Sequence, residues 1–201
     1  MLTPKEPFAA LIFDCDGTLA ETAPIHYECI SLALARHGVE LPRAWYFERI
    51  GLALRDLLKD FDADFGVRMD VSLIAADLPA LYRARVANVE EIHLVAQIAR
   101  QYKGRVPLAV ASGGARELVV PTLEAVGLAS LFQEIVTIAD VRHGKPEPDL
   151  FLEAARRLGV EPRLCVVYED SAEGLEAARR AGMQGINIRI VHEPPWATDP
   201  G

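Results

Sequence analysis

The sequence predicts an α/β protein: a parallel β-sheet with helices on both faces, interrupted after its first strand by a small helical bundle. Three observations carry this. Phe8 to Phe13, Pro107 to Ala111 and Leu164 to Tyr168 are apolar runs of strand length, the pattern of strands buried on both faces. Beyond Val89, helical and strand-like segments alternate, as βαβ units do in a parallel sheet. From Thr22 to Asn88 no buried-strand run occurs, and the periodicity is helical throughout.

In chain order, the first strand runs into Phe13-Asp14-Cys15-Asp16-Gly17-Thr18-Leu19. In the helical stretch, Ile25, Cys29, Leu32 and Leu34 form one apolar stripe, which ends at His37-Gly38, where Gly caps the helix. Leu54, Leu57, Leu58 and Phe61 form a second stripe. A third helix is expected from about Asp70 through Leu73, Ile74, Leu81 and Val86, with a break or kink at Pro79. Leu94 to Tyr102 reads as a helix, and the strand Pro107 to Ala111 ends at Ser112-Gly113-Gly114. A helix from Leu118 to Val126 stops at Gly127, a short strand covers Ile135 to Ile138, and a helix from Pro148 to Leu158 is closed by Gly159. Leu164 to Tyr168 is followed by Glu169-Asp170, and Ser171 caps a helix ending at Ala181-Gly182. Gly185 to Ile190 is the last expected strand, and the proline-bearing tail from His192 to Gly201 is expected to pack loosely.

Composition bounds the function. The 201 residues are 51 % apolar, ample for a core, with no run of roughly 18 apolar residues to span a membrane. The N-terminal residues lack the features of a secretory signal. Three widely spaced cysteines (Cys15, Cys29, Cys165) form no metal-ligand pattern and point to a reducing cytoplasm. A net charge of −8 argues against nucleic-acid or anionic-membrane partners and leaves a small anionic substrate open.

The chemistry gathers at strand ends. Asp14 and Asp16 repel each other unless a cation sits between them, so this stretch calls for a divalent metal. Ser112, Lys145 and the pair Glu169/Asp170 also follow strands, and in a parallel sheet all such ends share one edge. The set comprises two acids for nucleophilic attack and proton transfer, a hydroxyl and a lysine for phosphate oxygens, and two further acids for a metal. Gly113-Gly114 suits a nest of backbone N–H groups. Each residue taken alone has a plainer reading: Ser112 as a helix cap, Lys145 as a solvated loop lysine, Glu169 or Asp170 as the acidic start of the next helix.

Asp14-Cys15-Asp16-Gly17-Thr18-Leu19, Ala109-Val110-Ala111-Ser112, Gly144-Lys145-Pro146-Glu147-Pro148-Asp149 and Tyr168-Glu169-Asp170-Ser171 resemble the four motifs of the haloacid dehalogenase superfamily, β-phosphoglucomutase-like branch. The resemblance implies a Rossmann-like core, residues 1–19 and 90–201, and an inserted helical cap, residues 20–89. It implies that Asp14 attacks phosphorus and that Asp16 protonates the leaving oxygen and then activates water. Thr18, Ser112, Gly113 and Lys145 would hold the phosphate. Asp14, the Asp16 carbonyl and Asp170, supported by Glu169, would hold Mg²⁺. Dehalogenases and phosphonatases of the superfamily lack the second acid and are disfavoured.

Glu21-Thr22-Ala23-Pro24-Ile25-His26 resembles the family's Asp-Thr-x-x-x-His segment, which makes His26 a candidate substrate contact, beside a plain packing role. Arg49 and Arg55 flank Gly51 in what resembles a specificity loop, and either could equally be a surface arginine. Ile92-His93 replaces the family's Pro-Gly at the return hinge, and Cys15 reads as a small core residue. Tyr102-Lys103-Gly104-Arg105-Val106-Pro107 and Val141-Arg142-His143-Gly144-Lys145-Pro146 resemble the fructose-1-phosphatase and 6-phosphogluconate phosphatase members. The expectation is a cytoplasmic, monomeric, Mg²⁺-dependent phosphatase for a sugar or sugar-acid monophosphate. The alternatives are a β-phosphoglucomutase-type isomerase and a non-catalytic phosphate-binding or phospho-acceptor protein on the same fold.

Overall fold

A computed structural model of the chain describes residues 2–194, which divide into two compact units: 2–22 with 89–194, and 23–88. The first unit begins with β1 (Ala10–Phe13) and β2 (Ala20–Glu21). The second unit holds α1 (Ala23–Ala35), α2 (Arg43–Phe47), α3 (Leu54–Phe65) and α4 (Val71–Arg83). The first unit then resumes with β3 (Glu90–Glu91), α5 (His93–Tyr102), β4 (Leu108–Ala111), α6 (Arg116–Ala125) and β5 (Glu134–Val136). It ends with α7 (Asp149–Leu158), β6 (Cys165–Glu169), α8 (Ala172–Arg180) and β7 (Gln184–Asn187). No helix among the described residues is long and apolar enough to cross a membrane.

Five strands form one parallel sheet in the order β5-β4-β1-β6-β7, a Rossmann-like arrangement. The alternation of side chains along each strand sorts the core into two layers. Leu11, Phe13, Leu108, Val110, Val166 and Tyr168 face one layer with Val95, Ala96 and Ala99 of α5 and Val119 and Leu123 of α6. Ala10, Ile12, Ala109, Ala111, Cys165 and Val167 face the other, against Leu150, Phe151 and Ala154 of α7 and Ala177 and Ala178 of α8. Leu11, Ile12 and Phe13 are fully buried, and each contributes roughly 1.5–3 kcal/mol by leaving water. The chain moves outward from β1 to β4 and β5, then returns to pair β6 with the other edge of β1. This reversal makes the carboxyl end of β1 the topological switch point, the place where open α/β sheets bind ligands.

Several local expectations shift. The strand foreseen at Ile135 to Ile138 stops at Val136, because the Thr137 N–H and hydroxyl both bond Asp140 Oδ2 and wind the chain into a 3₁₀ turn. The last strand stops at Asn187, whose side chain accepts from Arg189 N and turns Ile188–Ile190 into another. In the second unit α4 runs through Pro79 without a break; Asp70 caps its start, and buried Ile74, Leu81 and Tyr82 hold it on both sides of the proline. Leu32 and Leu73 are exposed, not on the buried stripes, and Val86 lies in a 3₁₀ turn. The short α2 and the antiparallel β2–β3 ladder were not foreseen, for five- and two-residue elements are too short to show a period. Of the tail, His192 Nε2 lies 3.5 Å from Glu21 Oε2, and residues 195–201 fall outside the described residues.

Candidate active site

Asp14 leaves β1 with its N–H donating to the Tyr168 carbonyl, so the parallel pairing of β1 and β6 continues one residue past β1's last strand position. The chain then tightens around the Cys15 carbonyl, which accepts from Thr18, Leu19 and Ala20 N–H groups. Gly17 makes the loop possible twice over. Its φ is +77°, and a Cβ there would stand 2.5 Å from Asp170 Oδ2. Cys15 is buried in the core layer with Leu11 and Phe13, as a small apolar residue would be.

The loop presents two carboxylates with different partners. Asp16 is gripped by hydroxyls: Thr22 Oγ1 donates to Oδ1 at 2.8 Å and Ser112 Oγ to Oδ2 at 3.2 Å. Ser112 Oγ in turn accepts from Gly114 N at 2.9 Å. Ser112 is therefore not the cap of α6, which begins after Ala115 without a side-chain cap. Asp14 is buried, and its Oδ1 accepts from Lys145 Nζ at 2.5 Å. The same ammonium donates to Glu169 Oε1 at 2.5 Å, so Lys145 is no solvated loop lysine. Glu169 Oε2 accepts from the Ser171 N–H and hydroxyl, which places this fully buried carboxylate under the first turn of α8. Asp170 Oδ2 accepts from Arg189 Nη2 at 2.7 Å, and Oδ1 lies 3.4 Å from the Thr18 hydroxyl.

One oxygen from each of Asp14, Glu169 and Asp170 lies within 4.8 Å of the others. Burial pushes the Asp14 carboxyl up, Lys145 opposes, and Glu169, Asp170 and Asp16 add to the rise. Burial also raises Asp170, helped by Glu169 and opposed by Arg189. For Lys145 burial works against the charge, but Asp14 and Glu169 outweigh it and hold the ammonium above its ordinary range. Burial leads the rise at both carboxyls, and the rise at Lys145 comes from the acids beside it, which outnumber the cations of the cluster. A hard divalent cation suits that imbalance: carboxylate oxygens are the ligands Mg²⁺ prefers.

Thus Asp14, Asp16, Thr18, Ser112, Lys145, Glu169 and Asp170 gather at one edge of the sheet, and exposed Gly113 lies in the loop after β4. His26 and Arg55 belong to the second unit. His26 is half-buried, its ring 5.0 Å from that of Tyr82, and Arg55 is exposed near the start of α3. Arg49 stacks 4.2 Å over Trp45 and donates to Asp64, so it braces α2 against α3. Thr22 and Arg189 escaped the sequence reading as site residues. Thr22 belongs to the Glu21-to-His26 segment, of which only His26 was singled out, and Arg189 falls in what read as a strand.

Gly174 gives a first test of this packing. A Cβ there would stand 1.8 Å from Glu169 Oε1 and 2.0 Å from its Cδ. In an unconstrained helix Gly→Ala gains about 1 kcal/mol. Gly174→Ala is expected instead to destabilise by about 1–3 kcal/mol and to reduce activity, because Glu169 must move and Lys145 with it. Urea denaturation read alongside turnover checks this, and a stabilised, fully active variant would contradict the geometry.

A family model of haloacid dehalogenase-like hydrolases matches residues 8–182. Fructose-1-phosphate phosphatase YqaB of Escherichia coli is 33 % identical over 197 residues, covering 92 % of this chain and 99 % of its own. The phosphorylated carbohydrates phosphatase of Thermotoga maritima is 27 % identical over 194 residues, covering 91 % of this chain and 85 % of its own. Among solved structures, CbbY of Rhodobacter sphaeroides in complex with phosphate matches with a TM-score of 0.79 at 26 % identity, over 89 % of this chain and 85 % of that one. These matches bear out the resemblance drawn from the four motifs.

Proposed function

Because the chain belongs to the haloacid dehalogenase-like hydrolase family, we propose that it hydrolyses a small sugar or sugar-acid monophosphate through an aspartyl-phosphate, with Mg²⁺ as cofactor. The family, together with its phosphatase relatives, makes it a phosphoric monoester hydrolase. The observation that carries the mechanism is the division of labour between two neighbouring acids. Asp14 lies against an ammonium, while Asp16 is held by two hydroxyls.

In this reading an Asp14 carboxylate oxygen attacks phosphorus, and the bond from phosphorus to the sugar oxygen breaks. Asp16 delivers its proton to that departing oxygen, and Thr22 and Ser112 hold its carboxyl in place meanwhile. Water then attacks the aspartyl-phosphate, Asp16 takes the water's proton, and inorganic phosphate leaves with Asp14 restored. Lys145 and the Ser112-Gly113-Gly114 turn bind phosphoryl oxygens, on which charge concentrates during transfer. Asp14, the Asp16 carbonyl and Asp170 would hold Mg²⁺, with Glu169 supporting Lys145. Bound there, Mg²⁺ supplies neutralisation of the phosphoryl charge. For substrate choice the candidates are His26 and Arg55. The free, buried cysteines support a reducing, cytoplasmic setting.

A panel of sugar and sugar-acid monophosphates, incubated with and without Mg²⁺ and followed by phosphorus NMR, tests this. Release of inorganic phosphate from one of them, abolished by chelator, is expected. Conversion of β-glucose 1-phosphate to glucose 6-phosphate without matching free phosphate would favour a mutase. Lack of turnover across the panel would favour a phosphate-binding protein.

A further inference from the structure

The two oxygens of Asp170 sit in unlike surroundings. Oδ2 takes the 2.7 Å hydrogen bond from Arg189, while Oδ1 lies 3.4 Å from the Thr18 hydroxyl. Arg189 is brought there by a built turn. Asn187 Oδ1 accepts from Arg189 N at 2.9 Å, Val191 and His192 N–H groups close on the Ile188 carbonyl, and Ile188 is fully buried in the core. The side chains of the pair are 27 % and 12 % exposed, sheltered enough for a charge-assisted bond to hold its geometry. Arg189 also lies past residue 182, where the family match ends.

We propose that Arg189 is a positioning residue that leaves Asp170 a single oxygen for a cation, and so biases the site toward Mg²⁺ and against Ca²⁺. The inference rests on the reading that Asp170 belongs to a Mg²⁺ site. Mg²⁺ demands a near-octahedral shell at about 2.0–2.1 Å, whereas Ca²⁺ takes about six to eight oxygens and readily binds both oxygens of one carboxylate. A guanidinium N–H on Oδ2 blocks the two-oxygen mode and fixes the carboxylate plane. The positive charge of Arg189 weakens binding of both cations alike, so the ratio of the two affinities isolates the geometric effect from the electrostatic one.

Isothermal titration of Mg²⁺ alone and of Ca²⁺ alone into the chelator-treated full chain tests this, with circular dichroism and Tm as checks on folding. The wild-type chain should prefer Mg²⁺. In Arg189→Met the preference should shift toward Ca²⁺ by about tenfold, the low end of what losing a ligand's supporting partner does. Arg189→Lys, which keeps the charge without the planar fork, should shift it in the same direction but less. An affinity ratio unchanged within about twofold in folded Arg189→Met overturns the proposal. So does a wild-type preference for Ca²⁺. Should Arg189→Met fail to fold, an unchanged ratio in Arg189→Lys overturns it equally. Asp170→Asn keeps the two failures apart: wild-type Mg²⁺ binding that is absent, or that Asp170→Asn leaves intact, sinks the metal-site reading and this inference together. Binding lost in Asp170→Asn with an unchanged ratio in the Arg189 variants sinks the inference alone.

Discussion

Asp14→Asn is expected to lower turnover by about 10⁴-fold or more while leaving the fold intact, since loss of a covalent nucleophile removes the step that the rest of the site supports. The amide is isosteric with the carboxylate but cannot form the aspartyl-phosphate. It also takes one negative charge out of a cluster that carries an excess, and Lys145 keeps Glu169 as its partner. The variant should therefore unfold at a Tm no lower than the wild type. Phosphate release and a thermal melt, made on the same preparation, settle both halves. Retention of more than roughly one per cent of turnover would remove Asp14 from the nucleophile's role.

Lys145→Met should produce the largest loss of stability. It strips the ammonium from between two buried carboxylates, those of Asp14 and Glu169. Removing one partner of a buried ion pair typically costs about 3–5 kcal/mol, because the remaining charges stay in a poorly hydrated place. The loss should depend on pH. Asp14 is raised above its ordinary carboxylate range in the folded chain, chiefly by burial. A carboxyl whose folded pKa exceeds its unfolded one takes up a proton on folding, so its contribution to stability falls as pH rises through that interval. Without Lys145 the upward shift grows, and the destabilisation should be greatest at neutral to alkaline pH and shrink on acidification. Added Mg²⁺ should restore part of it by binding the folded state. Urea denaturation across pH, in chelator and in Mg²⁺, provides the measurement. A chelated variant within about 0.5 kcal/mol of wild type would mean that Lys145 does not neutralise this cluster.

The fold and most of the candidate site were legible in the sequence for identifiable reasons. Strands buried on both faces must be apolar throughout, so β1, β4 and β6 were legible as unbroken runs, and the alternation of helices with them left a parallel sheet as the consistent outcome. Polar residues at strand ends stand out against such runs, which is why Asp14, Asp16, Ser112, Glu169 and Asp170 were visible. Elements of two to five residues, β2, β3 and α2, are shorter than the period that would betray them. The ends of β5 and β7 were misplaced because side-chain bonds from Asp140 and Asn187 to nearby backbone decided them, against apolar residues that favoured extension.

The α/β class, the helical stretch after the first strand and the candidate polar groups at the strand ends each rest on local composition and spacing, and so were determined by the sequence alone. Which groups meet was decided by strand order and register. β6 pairs with β1 so that Phe13 stands opposite Tyr168, and that one alignment sets Glu169 and Asp170 beside Asp14 and Gly17. β4 on the other edge of β1 brings Ser112 to Asp16, and a turn after β7 returns Arg189 to Asp170. These pairs are separated by 19 to 155 residues. No local pattern encodes such contacts, because they follow from burying two layers of helices on one twisted sheet.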